Sequence, residues 1–204
     1  MKRIGALLLI ALPSSCQQNP APALNGSRTD QRYECDCRTT VDDLAPHPAC
    51  LRRDADAYQM QPAVLRSLKL PHARSPFSAY STCGMFWVRS DGRARQTLNY
   101  DNGADYFCNG LTRYYRAAKY GYMNAELEVV VPPDYDFAAP FRSGHGIVCQ
   151  ACTFSPSGEH TAVSCARCGA VNVKGQLVLA LTFSMAQLEQ RFPGDPDVDC
   201  PESP

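Results

Sequence analysis

The chain has 204 residues, which is enough for one domain of ordinary size with tails. Its 20 basic and 20 acidic residues cancel, so its charge gives no reason to expect nucleic acid or an anionic membrane as a partner. The count of 11 cysteines is high for a protein of a reducing compartment, so the compartment has to be inferred first.

The first 23 residues are typical of a signal peptide. Lys2 and Arg3 form a charged start, residues 5–12 are apolar, and Ala21-Pro22-Ala23 offers a cleavage site. The apolar run is too short to span a bilayer, and no later run is long enough. We therefore expect a secreted protein without a membrane span. The alternative is a bacterial lipoprotein with Cys16 as the lipidated residue.

Residues 24–34 are polar and without periodicity, and they predict a flexible arm. Asn25-Gly26-Ser27 in this arm is a sequon, so Asn25 is a candidate glycosylation site in a eukaryotic host.

The cysteines predict a disulfide framework. Because Cys16 is either removed with the signal peptide or lipidated, it cannot pair, and an even set of ten remains; an even set behind a signal peptide is typical of disulfides. The sequence does not give the connectivity. The ten are Cys35, Cys37, Cys50, Cys83, Cys108, Cys149, Cys152, Cys165, Cys168 and Cys200.

Two C-x-x-C pairs flank a predicted turn: Cys149 with Cys152, and Cys165 with Cys168. Four thiolates at this spacing suit tetrahedral zinc, and in a reducing compartment the pattern indicates a zinc knuckle. A signal peptide implies an oxidising compartment, where oxidation of the thiols competes with zinc binding. We therefore expect disulfides, for example Cys149 with Cys168 and Cys152 with Cys165. No cofactor is then needed, and zinc is the alternative.

Short strands separated by turn residues dominate the chain from residue 82 onward. Asp91-Gly92 and Asn109-Gly110 are typical hairpin turns, and residues 155–158 form a turn between two longer strands. Pro132-Pro133 is expected to end a strand. The sequence shows no internal repeat. This pattern predicts a mainly all-β chain, folded as a disulfide-stabilised antiparallel β-sandwich with short helices.

The predicted domain spans residues 35–192. It begins with a cysteine-rich loop at 35–48, and short helices are expected within 51–70 and 185–192. Residues 193–204 form an acidic, proline-bearing tail that Cys200 tethers to the domain.

Nothing in the sequence favours an enzyme. No H-E-x-x-H, G-x-S-x-G, G-x-G-x-x-G or Walker motif occurs. His145 and His160 lie near the C-x-x-C pairs, where they are candidate ligands or bases, but their glycine- and turn-rich surroundings favour loop histidines.

A tyrosine- and arginine-rich stretch is the candidate partner-binding site. Tyrosines give contact area at low entropic cost, and arginines add directional hydrogen bonds, as in the energetic centres of protein interfaces. The alternative is ordinary packing, since tyrosine favours strands. The candidate residues are Arg113, Tyr114, Tyr115, Arg116 and Tyr120.

One stretch resembles the poxvirus immune-evasion domain. Thr97-Leu98-Asn99 before Cys108 is similar to the strand that precedes a cysteine in that family, and residues 124–127 followed by Val131-Pro132 resemble its next strand. A terminal cysteine after the last strand, here Cys200, fits as well. The resemblance implies a secreted β-sandwich that binds chemokines or cytokines, and it carries no binding residue over.

We therefore expect a secreted binding protein whose ligand is an extracellular protein. The resemblance suggests a viral immunomodulator that sequesters a host cytokine or chemokine. The alternatives are an extracellular or periplasmic zinc-knuckle metalloprotein and a bacterial lipoprotein.

Overall fold

The structure is a computed structural model that describes residues 33–70, 75–100, 102–158, 160–193 and 200. All of these belong to the compact unit Gln31–Pro204. The predicted signal peptide with Cys16, most of the arm with Asn25, and most of the tail lie outside the described residues. Within the described ranges, no helix is long and apolar enough to cross a membrane.

The described part of the chain is built mainly from strands joined by short turns. The elements are β1 (Cys35–Thr39), a 3-10 turn (Thr40–Asp42), β2 (Pro46–Asp54), β3 (Ala57–Met60), α1 (Pro62–Ser67), β4 (Phe77–Ser81), β5 (Gly84–Val88), β6 (Arg93–Thr97), β7 (Asn99–Tyr100), β8 (Gly103–Ala104), β9 (Leu111–Arg116), β10 (Lys119–Asn124), β11 (Val129–Tyr135), β12 (Phe137–Ala138), β13 (His145–Ser157), β14 (His160–Asn172), β15 (Leu177–Phe183) and α2 (Met185–Arg191). The all-β prediction is confirmed.

The first six strands close into a barrel in the order β6-β3-β2-β1-β4-β5, with β5 pairing back onto β6. The closure depends on β6, where Ala94 is paired with Tyr58 of β3 on one side and with Val88 of β5 on the other. Because both ends of the sheet meet on one strand, the predicted sandwich is wrong and a barrel forms instead. Closure also leaves these strands with fewer free edges.

Two disulfides lie in the barrel core. Cys35 is bonded to Cys83 and Cys37 to Cys50, and all but the half-buried Cys83 are almost fully buried. In β1, buried and exposed residues alternate, as expected for a strand with one face toward a core. The segment predicted as a cysteine-rich loop is therefore a pair of core strands.

A hairpin extends from the barrel at the end of β6. Thr97 pairs with Tyr114 of β9, and β9, β10 and β11 continue the sheet to its edge. The prediction that Pro132-Pro133 ends a strand is wrong, since β11 runs through both prolines. Because β11 is the edge strand, a residue without an N–H removes no essential ladder bond there.

A second sheet, β12-β13-β14-β15, carries the long hairpin predicted around residues 155–158. The short helix α2 packs against β13 and β14 through Leu188. Its first turn is fixed by a capping box between Ser184 and Gln187. A disulfide from Cys108, just before β9, to Cys200 ties the end of the chain to the core.

The structure contains a repeat that the sequence does not make evident. Residues 84–116, the first repeat unit, and residues 119–157, the second repeat unit, each begin with a hairpin of the same hydrogen-bonding pattern. The N–H of Arg89 donates to the carbonyl of Arg93 in the first, and that of Asn124 to Glu128 in the second. The third loop residue has a positive φ in both units, 84° at Gly92 and 56° at Leu127.

The two repeat units also share a second turn and an aromatic anchor. Each closes a two-residue turn with positive φ angles, at Asn109-Gly110 and at Ser143-Gly144. The ring N–H of Trp87 donates to the carbonyl of Asp105 at 3.0 Å, and the hydroxyl of Tyr122 donates to the carbonyl of Ala139 at 2.5 Å. The prediction of no internal repeat is therefore wrong. The repeat is not evident in the sequence because several equivalent positions hold different residues, such as Gly92 and Leu127.

Candidate functional site

Aromatic side chains line one face of the β9–β10 hairpin and continue onto β12. Tyr115 and Tyr120 are directly paired across the two strands, with ring centroids 5.2 Å apart in an edge-to-face arrangement. Tyr120 in turn lies 6.2 Å from the ring of Phe137. All three side chains are half-buried, so each presents part of its ring to solvent.

A second aromatic pair lies on the same side of β9. Tyr100 and Tyr106 contact each other edge to face at 5.8 Å, and they are 48% and 40% exposed. The guanidinium of Arg113 lies 5.4 Å from the Tyr100 ring. Because Arg113 and Tyr115 are two residues apart in a strand, they share a face, so Arg113 lies between the two aromatic groups. We call Tyr100, Tyr106, Tyr115, Tyr120 and Phe137 the aromatic strip.

A buried ion pair fixes the centre of this strip. The carboxylate of Asp105 accepts from Nε of Arg113 at 2.8 Å and from Nη2 at 2.5 Å. It also accepts the backbone N–H of Arg113 at 3.1 Å. Burial alone would lower the pKa of Arg113, but the adjacent Asp105 carboxylate outweighs it and raises the pKa. The guanidinium is thus charged and rigid beneath Tyr100.

The structure does not bring the five predicted partner-binding residues together on one surface. Arg113 and Tyr114 are buried, at 7% and 2% exposure. Tyr114 and Arg116 alternate to the opposite face of β9, where the Tyr114 hydroxyl donates to the carbonyl of Asp56. Tyr115 and Tyr120 remain as candidate contacts on the strip, whereas Arg116 pairs with the carboxylate of Asp56 at 3.7 Å on the opposite face.

Sequence reasoning missed Tyr100, Asp105 and Phe137. Side chains alternate between the two faces along a strand such as β9, and this rule, applied to the sequence, places Tyr114 and Tyr115 on opposite faces. The position of Phe137 on the strip could not be predicted from the sequence, because it depends on β12 folding back toward β10 through a turn of the second repeat unit.

The β13–β14 hairpin, which we call the cysteine hairpin, carries the two predicted cross-strand disulfides, Cys149–Cys168 and Cys152–Cys165. Each joins residues directly opposite in the β13–β14 ladder. Cys149 and Cys168 are fully buried under α2, and Cys152 and Cys165 are half-buried farther out. Together with the barrel and terminal bridges, the ten cysteines among the described residues form five disulfides.

Two histidines have defined surroundings. His145, expected to be a loop histidine, stacks on Phe192 with ring centroids 4.2 Å apart. Nε2 of His47 lies 2.5 Å from the carboxylate of Asp42, which also accepts from the hydroxyl of Thr39 at 2.7 Å. His72 and the side chain of His160 lie outside the described residues.

The Asp42 contacts predict a pH dependence of stability. Burial alone would raise the pKa of Asp42, but the hydrogen bonds from Thr39 and His47 outweigh it and lower the pKa from the usual 3.8. The unfolded chain therefore binds this proton more tightly. The stabilisation is present above pH ~4 and is lost as the pH falls through the folded-state pKa.

We expect Asp42→Asn to lower the free energy of unfolding by about 1 kcal/mol at neutral pH, and by progressively less toward pH ~2. Urea denaturation between these pH values measures the difference. Asp134→Asn, at an exposed position of β11, is the matched control. A constant difference between wild type and Asp42→Asn across the range would contradict the assignment.

Comparison with known families gives one finding. The model of the family described as WG containing repeat matches residues 120–151. This stretch coincides with most of the second repeat unit, from β10 into β13, and it is much less than half of the chain. No curated protein and no solved structure matches the chain.

Proposed function

We propose that this chain is a secreted binding protein that engages an extracellular protein through the aromatic strip. The observation that carries the proposal is the placement of the strip on one face: two partly exposed aromatic groups lie on either side of Arg113, which Asp105 holds in one position. Rigid tyrosines lose little conformational entropy on binding, so a surface of this kind suits protein contact.

The covalent framework supports the proposed compartment. Disulfides persist in oxidising environments and are rare where thiols are kept reduced. Five of them within the described residues are compatible with an extracellular chain. The predicted signal peptide is the sequence feature that points the same way.

The ligand class that we propose is a cytokine or chemokine, as the resemblance to the poxvirus family implies. The neutral net charge gives no general attraction to basic or acidic partners. Recognition then depends on the shape and hydrogen bonding of the strip, and we expect weak salt dependence of the affinity.

The test is capture of purified cytokines and chemokines by the immobilised full chain, followed by affinity measurement. We expect Tyr115→Ala to weaken binding by about 1–2 kcal/mol, because it removes half of the Tyr115–Tyr120 pair. Phe154→Ala is the matched control, since Phe154 is an aromatic residue that is 50% exposed and lies on the cysteine hairpin, outside the strip.

Thermal unfolding of both variants separates loss of contact from loss of fold. If Tyr115→Ala binds as tightly as wild type, or if no member of the panel is captured, the proposed function of the strip is wrong. Equal weakening by Phe154→Ala would place the contact on the cysteine hairpin instead.

A further inference from the structure

The cysteine hairpin has a geometry that two independent disulfides do not require. In a regular strand, residues three apart point to opposite faces, and the cysteines of each C-x-x-C pair are three apart. Yet the sulfur atoms of Cys149, Cys165 and Cys168 all lie within 4.8 Å of one another. The sulfur of Cys152 is outside this set of three but is bonded to that of Cys165, which belongs to it.

The backbone explains part of this convergence. Ala151, between the two cysteines of β13, has a φ of 53°, in the left-handed region that non-glycine residues rarely adopt. A left-handed residue interrupts the alternation of side chains. Cross-strand disulfides on opposite faces of the hairpin would need no such residue, whereas a single ion requires its ligands to converge.

We propose that these four cysteines form a redox-gated zinc site, closed as two disulfides in the oxidised chain and able to bind one Zn²⁺ after reduction. Tetrahedral zinc with four thiolates has Zn–S distances of about 2.3 Å, which places the sulfurs about 3.8 Å apart. The sulfurs of Cys149, Cys165 and Cys168 lie at most 4.8 Å apart, and rotation of the Cys152 side chain would have to bring its sulfur to the same centre. The proposal does not depend on the aromatic strip.

The surroundings suit this exchange. Cys149 and Cys168 lie at the dry, inner end of the group beneath Leu188, and Cys152 and Cys165 are half-exposed at its outer end. A reductant and an ion therefore reach the site from the outer end. Arg167, between the two cysteines of β14, places a positive charge near a site that carries net negative charge when occupied.

A dithiol can reduce both disulfides of the site. Each protein disulfide takes up two electrons and two protons, giving two thiols, while one dithiol becomes its own disulfide. When Zn²⁺ binds, the four thiols release their protons to solvent and four Zn–S bonds form.

The experiment titrates the full chain with Co²⁺, before and after treatment with a phosphine reductant that competes little for metal. We expect one equivalent to bind only after reduction, with the strong absorption of tetrahedral thiolate coordination, and Zn²⁺ to displace it. Cys152→Ser combined with Cys165→Ser should lose this spectrum. Cys108→Ser combined with Cys200→Ser is the matched control and should keep it.

Two results would overturn the assignment. One is a reduced chain that binds no Co²⁺, and the other is equal binding by the Cys152→Ser and Cys165→Ser variant. If reduction unfolds the chain, added Zn²⁺ should restore the circular dichroism of the wild type but not of that variant. Failure to restore it in the wild type also overturns the proposal.

Discussion

Replacing Asp105 by Ala should lower the free energy of unfolding by about 3–5 kcal/mol. The change leaves the guanidinium of Arg113 buried without its counter-charge, since both residues are under a tenth exposed. It also removes the acceptor for the backbone N–H of Arg113. An uncompensated buried charge is among the most destabilising changes in a folded protein, so urea denaturation should show a large shift in midpoint.

The matched control is Asp91→Ala. Asp91 forms an ion pair with Arg89 at 3.1 Å, but its side chain is 53% exposed, so we expect a loss of about 0–1 kcal/mol. A second variant, Asp105→Leu combined with Arg113→Met, removes both charges and should recover part of the loss. If the double variant is no more stable than Asp105→Ala, the loss of stability does not come from the buried, unpaired guanidinium of Arg113.

The same ion pair links stability to the proposed binding surface. Arg113 supports Tyr100 from below, and the backbone carbonyl of Asp105 accepts from Trp87, the anchor of the first repeat unit. Loss of Asp105 should therefore disorder the Tyr100 end of the strip before the Tyr115 end. Amide hydrogen exchange of β7 and β9 in the variant would reveal this order.

Local patterns in the sequence predicted the strands but not how they close. The turn signal at residues 155–158 and the helix expected within 185–192 located the β13–β14 hairpin and α2 within a few residues. Closure of the barrel depends on Ala94 pairing on both sides, and a single residue leaves no periodic trace. The β9–β10 turn was also not evident in the sequence. Its two residues, Ala117 and Ala118, adopt positive φ angles that are normally found at Asn-Gly.

The sequence predicted where the candidate site lies but not which of its residues are exposed. Composition identified the stretch around Tyr115, because tyrosine and arginine enrichment is visible in sequence. Which of these residues is exposed depends on strand register and on distant partners. Arg113 is buried because Asp105 and the carbonyl of Ala138 lie against it, and neither contact is encoded near residue 113.

Removing the Cys108–Cys200 disulfide by double Ala substitution should cost about 4–5 kcal/mol, the largest loss among the five bridges. This bridge closes a loop with a sequence separation of 92, against 13 for Cys152–Cys165. Because a disulfide acts mainly by limiting the unfolded chain, and longer loops lose more freedom, its removal frees the most conformations.

The matched comparison is the Cys152→Ala and Cys165→Ala variant, for which we expect a loss of at most about 3 kcal/mol. The Cys149–Cys168 bridge encloses the same loop and already restricts it in the unfolded state, which reduces the loss further. Guanidinium denaturation of the oxidised proteins measures both, and the m-value should rise more in the Cys108→Ala and Cys200→Ala variant, since its unfolded state exposes more surface. Equal losses in the two variants would mean that native-state packing around Cys108, rather than chain entropy, determines what the terminal bridge contributes.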